Sequence, residues 1–474
     1  SFAWWRSSVR IRVRAPWSRR WRTSTFTSSR SSPGACRFRG RKRKWDRTQS
    51  KTGKECTVGS LIRYELKKML SRRVSQVSIA AVLALVAVMA FFNITSQYAL
   101  NPKEMGTEFE GTAAITAIKA NAEALAGPIT DEEATEALRE FKEFIGPDGE
   151  VRSEYRMDRK PYGEKAGEYW EFRAKNGALM ALLTGPWMQG YQMPVSVAAT
   201  IDTTGTVDLY GQVRSKIASK LDANDVLSYN DEERAFWNEK AQAVHTPIEY
   251  GYAGGWENFL NLAQFLIFAM LAVVITCASV FNGEYQAKTD AILLSTKFGK
   301  SRLGRAKAAA SVIAASAIYW VFTLVFLAIT LVFYGADGAG LPIQIYSITC
   351  TYDISLSAAA LTCCLVGYLA TLALLGIVLA LSAKIDSPMG ILAIGVALIL
   401  IPVFVPTMTS SIANHIIYLF PYDALNPFNL FDMVSYAIGP VVVELPVFLA
   451  AFYLLLFAAG IALAIRTFKR HQVA

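Results

Sequence analysis

Six long stretches of this 474-residue chain, 77–100, 259–281, 309–334, 355–382, 388–409 and 445–465, contain no Asp, Glu, Lys, Arg or His. Crossing a bilayer core takes roughly 20 apolar residues, so each stretch is long enough to span one. Their freedom from charge argues against an ion-coupled secondary transporter, which needs buried ionisable groups to carry its protons or sodium. Histidine is scarce too. His245, His415 and His471 are scattered, and no His/Cys/carboxylate group has metal-ligand spacing, so no metal site and no catalytic residue is expected. Paired catalytic groups at the span ends, which a membrane enzyme would need, are also missing. The long insert between the first two stretches has no cysteine, which rules out a disulfide framework there. Of the six cysteines, Cys36 and Cys56 lie near the N-terminus. Cys277, Cys363 and Cys364 fall inside apolar stretches and Cys350 just outside one, where they read as small apolar packers.

What is present places the chain in the membrane. Hydrophobic residues make up 53% of it and come in uninterrupted runs. Basic residues cluster before the first stretch (Arg63, Lys67, Lys68, Arg72, Arg73), between the second and third (Lys288 to Lys307), at Lys384, and after the last (Arg466, Lys469, Arg470). If every stretch crosses, these clusters share one side, and the positive-inside rule puts both termini in the cytoplasm. The insert, about 101–256, is then extracytoplasmic. It carries 26 acidic and 16 basic residues when counted from Ala99, the balance of a water-soluble domain.

Within that insert, Thr130 and Glu133 form a capping box ahead of a helix expected over 131–144, and 111–125 reads as another helix. The segments 195–201 and 206–210, joined by Asp202-Thr203-Thr204-Gly205, read as a β-hairpin. The expected fold is an α-helical polytopic membrane protein: six transmembrane helices, both termini cytoplasmic, and a mixed α/β extracytoplasmic domain between helices 1 and 2.

The first 56 residues hold 17 basic and 2 acidic residues and account for more than the whole net charge of +10. Their Arg/Ser/Trp bias and lack of hydrophobic periodicity read as a disordered basic tail (1–57) of the kind out-of-frame translation produces, with the natural chain expected to begin near Val58. The other reading is a basic tail that binds RNA or anionic lipid. From Leu61 the apolar residues Ile62, Leu66, Met69, Leu70 and Val74 recur at helical spacing among basic ones, which predicts an amphipathic interfacial helix over 58–76. Asn93-Ile94-Thr95 matches the glycosylation sequon at the end of a span and is read as chance.

The segment 282–308 between the second and third stretches concentrates charge. Gly299-Lys300-Ser301 ends like a phosphate-binding loop, but the position that needs the first glycine is Leu294, so the cradle cannot form. Any ATP chemistry must come from a partner.

Glu284-Tyr285, Lys288-Thr289-Asp290, Leu293-Leu294-Ser295-Thr296 and Gly299-Lys300-Ser301 through Lys307 resemble the first cytoplasmic loop of permeases of the ABC type-2 exporter family, in the subgroup with a large extracytoplasmic domain between spans one and two. The resemblance covers Leu61 to the C-terminus. It implies a short coupling helix that docks on a separate ATP-binding subunit, which holds the ATP and Mg; no cofactor is expected in this chain. The expected contact residues are Glu284, Tyr285, Lys288, Thr289, Asp290 and Leu294. Lys297, Lys300, Arg302, Arg305 and Lys307 would be shared between partner and lipid headgroups. It further implies a second permease copy or paralogue, re-entrant character in the outer segment 411–444, and no nucleic-acid partner. The location implied is the bacterial cytoplasmic membrane.

The function this suggests is ATP-driven export of an apolar or amphipathic molecule such as a lipid, a drug or a peptide antibiotic. The alternative is a ligand-sensing membrane receptor or scaffold that uses the extracytoplasmic domain. A four-span mechanotransmission permease would also carry a large domain after its first span, so the span count separates it from the six-span reading. Asn258, Asn261 and Gln264 share a helical face near the outer end of span two and are the candidates for lining a pathway. They could equally bond to neighbouring helices.

Overall fold

The computed structural model describes residues 58–158, 160–223, 226–286, 288, 302–405, 408 and 410–470. The expected basic tail, most of the charged loop and the last four residues lie outside the described residues.

Five helical runs are long and apolar enough to cross a membrane: Arg73–Thr95, Ala263–Glu284, Gly304–Tyr334, Leu356–Ser382 and Leu445–Arg470. The chain is thus a helical membrane protein. The stretch 388–409 forms a shorter apolar helix, Pro388–Phe404, with Pro402 inside it. Its 17 residues rise about 25 Å, short of a core roughly 30 Å thick.

In chain order, α1 is Val58–Leu70 and α2 Arg73–Thr95. The expected helix over 58–76 therefore breaks at Ser71 and Arg72. Strands β1 (Tyr98–Leu100) and β2 (Glu108–Glu110) pair antiparallel and lead into α3 (Gly111–Ala124). Strand β3 (Gly127–Ile129) follows, then α4 (Asp131–Glu143), α5 (Ala166–Thr184), α6 (Pro194–Thr200), α7 (Leu209–Ala223) and α8 (Asp231–Ala243). Strand β4 (Ile248–Tyr250) pairs antiparallel with β3 toward the end of the insert. After α9 (Gly254–Asn261) comes the second run, built from a 3-10 turn at Ala263–Leu266, α10 (Ile267–Cys277) and the start of α11 (Asn282–Gln286). Next come α12 (Gly304–Tyr334), α13 (Leu356–Ser382), α14 (Pro388–Phe404) and three short helices, α15 (Ser411–Ile417), α16 (Pro421–Ala424) and α17 (Pro427–Leu430). The hairpin β5 (Ser435–Ile438) and β6 (Val441–Glu444) leads into α18 (Leu445–Arg470).

The insert is chiefly helical, and its named strands form two ladders of three residues each. The capping box at Thr130 is present, with Glu133 N donating to the Thr130 hydroxyl and Thr130 N to the Glu133 carboxylate. The hairpin expected over 195–210 is not. Pro194 sits in the first turn of α6, where its fixed φ suits a helix and its missing N–H costs nothing. Val197, Ala198 and Ile201 then bury one side of that turn. Asp202 closes an Asx turn by accepting from Thr204 N at 2.9 Å, which leads the chain away from a strand. The backbone N–H of Leu209 donates to Asp131 Oδ1 at 3.0 Å, tying α7 to the start of α4. Trp237 is fully buried, and the rings of Phe141 and Phe172 stack 5.6 Å apart in the same core.

Small residues let the apolar helices approach. A Cβ on Gly460 of α18 would strike the backbone of Gly376 in α13, and one on Gly376 would lie 3.1 Å from the Phe457 backbone. In lipid there is little hydrophobic drive between helices, so this backbone contact is where packing energy comes from.

The two ends of α12 meet different surroundings. Past its C-terminus, Asp337 pairs with Lys119 of α3, and this hydrogen bond holds the Asp337 carboxyl below its ordinary range. Tyr252 of the insert's exit donates to Tyr334 O at 2.7 Å. The insert also reaches the segment before α18: Lys220 pairs with Asp432 at 2.7 Å, Tyr229 donates to Met433 O at 2.8 Å and Lys240 pairs with Glu444 at 2.7 Å. The N-terminal end of α12, opposite all of these, holds a different arrangement.

Candidate functional site

Lys307, one turn into α12, is completely buried. An ammonium group has three protons to donate and no acceptor, so its burial demands three oxygens. It has them: Glu65 Oε2 at 3.1 Å, Glu284 Oε1 at 2.8 Å and the Val280 carbonyl at 3.0 Å. Lys68 Nζ approaches Glu284 Oε1 at 3.2 Å from the rim. Two carboxylates and two ammonium groups thus form a charge-balanced cluster, with Glu65 and Glu284 nearly as buried as Lys307 and with Lys68 one-third exposed.

Local structure explains how the residues meet. Glu65, Lys68 and Met69 lie three and four apart on α1 and share the face that packs on α12. Met69 fills that contact, its sulfur 3.9 Å from the Ser311 hydroxyl oxygen. Ser311, one turn after Lys307, donates its hydroxyl proton back to the Lys307 carbonyl at 2.9 Å. Arg72, in the break between α1 and α2, donates to the Ser279 hydroxyl. Glu284 is placed by α11, whose Asn282 donates to Ile385 O at 3.1 Å and Gln286 to Asp386 O at 2.9 Å. Phe468 near the end of α18 packs on Phe281, with centroids 5.0 Å apart, and would meet a Cβ on Gly304 at 3.0 Å. Five parts of the chain therefore converge here: α1, the end of the second run, the start of α12, the turn after α13 and the end of α18.

The cluster can act mechanically. Glu284 stands where the chain enters the charged loop and Lys307 where it leaves, so their contact holds the two ends of the loop together. Through Glu65, the same ammonium group fixes α1 to those ends. A displacement of the loop would pass into three helices at once. Among the described residues no group of three or more His, Cys, Asp or Glu could hold a metal ion.

The residues expected from sequence to meet a partner fall in different places. Glu284 and Lys307 are buried in the cluster and are not displayed on the surface. Tyr285 belongs to α11, and Lys288 is exposed with a left-handed φ of 53°. Arg302 and Arg305 are exposed. Thr289, Asp290, Leu294, Lys297 and Lys300 lie outside the described residues. Asn258, Asn261 and Gln264 do not ride on one continuous α-helix, because α9 ends at Asn261 and a 3-10 turn follows. Asn258 donates its amide to Gly254 O at 2.9 Å, and Asn261 is exposed. Asn258 does line a cavity of about 260 Å³ beside Glu257, Tyr252 and Gln97. Burial pushes the Glu257 carboxyl up to about 7.

Glu65 is absent from the residues expected from sequence. A signal for it exists: it is the one acid in α1, three residues before a lysine on the buried face of a helix otherwise rich in basic residues.

Compared with known proteins, this chain has no match among family models, curated proteins or solved structures.

Proposed function

We propose that the chain is the permease subunit of an ATP-driven exporter of the ABC type-2 kind, powered by a separate ATP-binding subunit that docks on the loop between the second and third spans. The observation that carries this reading is the clamp formed by Glu284, Lys307 and Glu65. A loop that transmits force must have its ends fixed to the helices it moves, and here both ends and the amphipathic helix α1 share one buried ammonium group. Residues Thr289, Asp290 and Leu294 are then the partner contacts, while Glu284 anchors the element that presents them.

In this reading α14 is a sixth, short span that crosses by locally thinning the bilayer. Both termini are cytoplasmic in a bacterial plasma membrane, the insert is outside, and a second copy or a paralogue completes the pathway. The cargo is apolar or amphipathic. A ligand-sensing receptor or scaffold is the second reading; a cavity in the insert, lined by Phe141, Tyr169 and Phe172, favours it as an added role for the same complex. The partner biases the membrane part only if it binds the two conformations with different affinity.

The loop is tested by Asp290→Lys combined with Leu294→Glu in the assembled complex. Loss of ATP-driven transport with the clamp left intact supports coupling through this loop. Unchanged transport removes it.

A further inference from the structure

The insert contains a cavity of about 640 Å³, far from the charge cluster in sequence and lined by α4, α5, the start of α6 and the loop between α4 and α5. That volume lies in the range of small-molecule sites. Phe141, Tyr169, Phe172 and Met180 make its floor, each buried in the insert's core, and Met157 and Met193 supply adaptable thioether walls. Met193 is 67% exposed although it lines the cavity, an apolar side chain left in water.

The polar groups at the rim are unequal. Arg156 is compensated twice, by Glu150 at 3.0 Å and by Asp158 at 3.2 Å. Arg173 makes no ion pair among the described residues; its guanidinium lies 5.9 Å from the centroid of the Tyr169 ring. Gly177 lies one turn further along α5 and also lines the cavity. A Cβ there would meet nothing within 4 Å. Glycine in a helix costs roughly 0.5–1 kcal/mol against alanine, and here a position lining the cavity carries no side chain.

We propose that this cavity binds a single-chain amphiphile with one anionic headgroup, its chain on the Phe141, Tyr169, Phe172 and Met180 floor and its headgroup on Arg173. The site stands apart from the transport reading, since binding to the insert needs neither an ATPase nor a cargo pathway.

The experiment uses the full chain in lipid nanodiscs and a diazirine-bearing dodecanoate as probe, with labelled peptides mapped by mass spectrometry. The expected result is label on peptides within 141–158 and 169–196, displaced by excess dodecanoate and poorly displaced by dodecyltrimethylammonium. Arg173→Gln should weaken the displacement constant by about tenfold, the worth of one charge-assisted hydrogen bond. Gly177→Trp should abolish the label in the insert while thermal unfolding stays unchanged, and Gly177→Ala should retain it. Label confined to the apolar helices, label that persists in Gly177→Trp, or equal displacement by the cationic amphiphile would each overturn the proposal.

Discussion

Lys307 Nζ lies 2.8 Å from Glu284 Oε1, and the whole charged loop runs between these two residues in sequence. With Glu65 at 3.1 Å on the other side, the ammonium group joins three separate helices at a buried point. An ion pair in such a place is weak evidence for stability, because desolvation offsets most of the attraction. It fixes one arrangement of the three helices, as the proposed clamp requires.

That distinction gives the first prediction. Lys307→Met leaves the buried Glu65 carboxylate without its cation and Glu284 with Lys68 at the rim, and should destabilise the protein by about 3–5 kcal/mol. Replacing the cluster together, as Glu65→Leu, Glu284→Leu and Lys307→Met, should restore most of that loss and, on the proposed exporter function, uncouple transport from ATP hydrolysis. Denaturation of the purified variants, read beside transport in vesicles, checks both halves. A triple variant as unstable as the single one would contradict this view of the cluster.

The contact between α13 and α18 should tolerate no added side chain. In Gly460→Ala the new methyl meets the Gly376 backbone, which cannot rotate away as a side chain can. The helices must part, at a cost of about 1–3 kcal/mol, seen as a lower unfolding midpoint in detergent. Gly177→Ala in the insert, with open space around it, serves as the comparison and should not lower it.

Glu257 should make the fold sensitive to pH. Burial raises its carboxyl from about 4.5 to about 7, so the folded state holds the proton more tightly than the unfolded chain. The contribution is therefore fully present below about pH 4.5 and is lost as pH rises through about 7. Its size is a few kcal/mol at most, since a tenfold difference in proton affinity is worth roughly 1.36 kcal/mol. Asp423, pushed up to about 6 for the same reason, adds a smaller change of the same sign. Thermal unfolding from pH 5 to 8 should show falling stability, and Glu257→Gln should flatten most of the slope.

Lys240 ties the insert to the β5–β6 hairpin. Its ammonium group pairs with Glu444 and stands 3.6 Å from the centroid of the Tyr352 ring, with Trp237 at 5.3 Å. Lys240→Gln should lose about 1–2 kcal/mol, the worth of a partly desolvated cation–π contact. Protection of β5 and β6 from hydrogen exchange would fall more than protection of α4. The same protection with Lys240 as with Gln at that position would assign the lysine no role in the junction.

Much of this architecture can be read in the sequence. Charge-free runs mark the five long helices because the apolar pattern is the fold at that scale, and Thr130 with Glu133 marks a helix start because a capping box is a local device. Over 195–210 the β-branched residues suggest strand, but Pro194 and the burial of Val197, Ala198 and Ile201 favour a helix. The hairpin at Ser435–Glu444 is not among the expected elements, although Gly439, at φ 61°, supplies its turn. The meeting of the cluster's residues is less legible, although Glu284 and Lys307 stand out and Glu65 is the one acid in α1. Glu65 and Lys307 are brought together by packing of α1 on α12, and their pairing across 242 residues is set by that packing and not by local sequence.

The proposed role as an exporter subunit requires an ATP-binding partner. Purification of the chain from its native membrane in mild detergent, with mass spectrometry of what accompanies it, decides whether it has one. A stoichiometric subunit with Walker A and Walker B motifs, lost on substitution of Asp290 and Leu294, is the predicted result. A folded chain that purifies alone at full yield would contradict it.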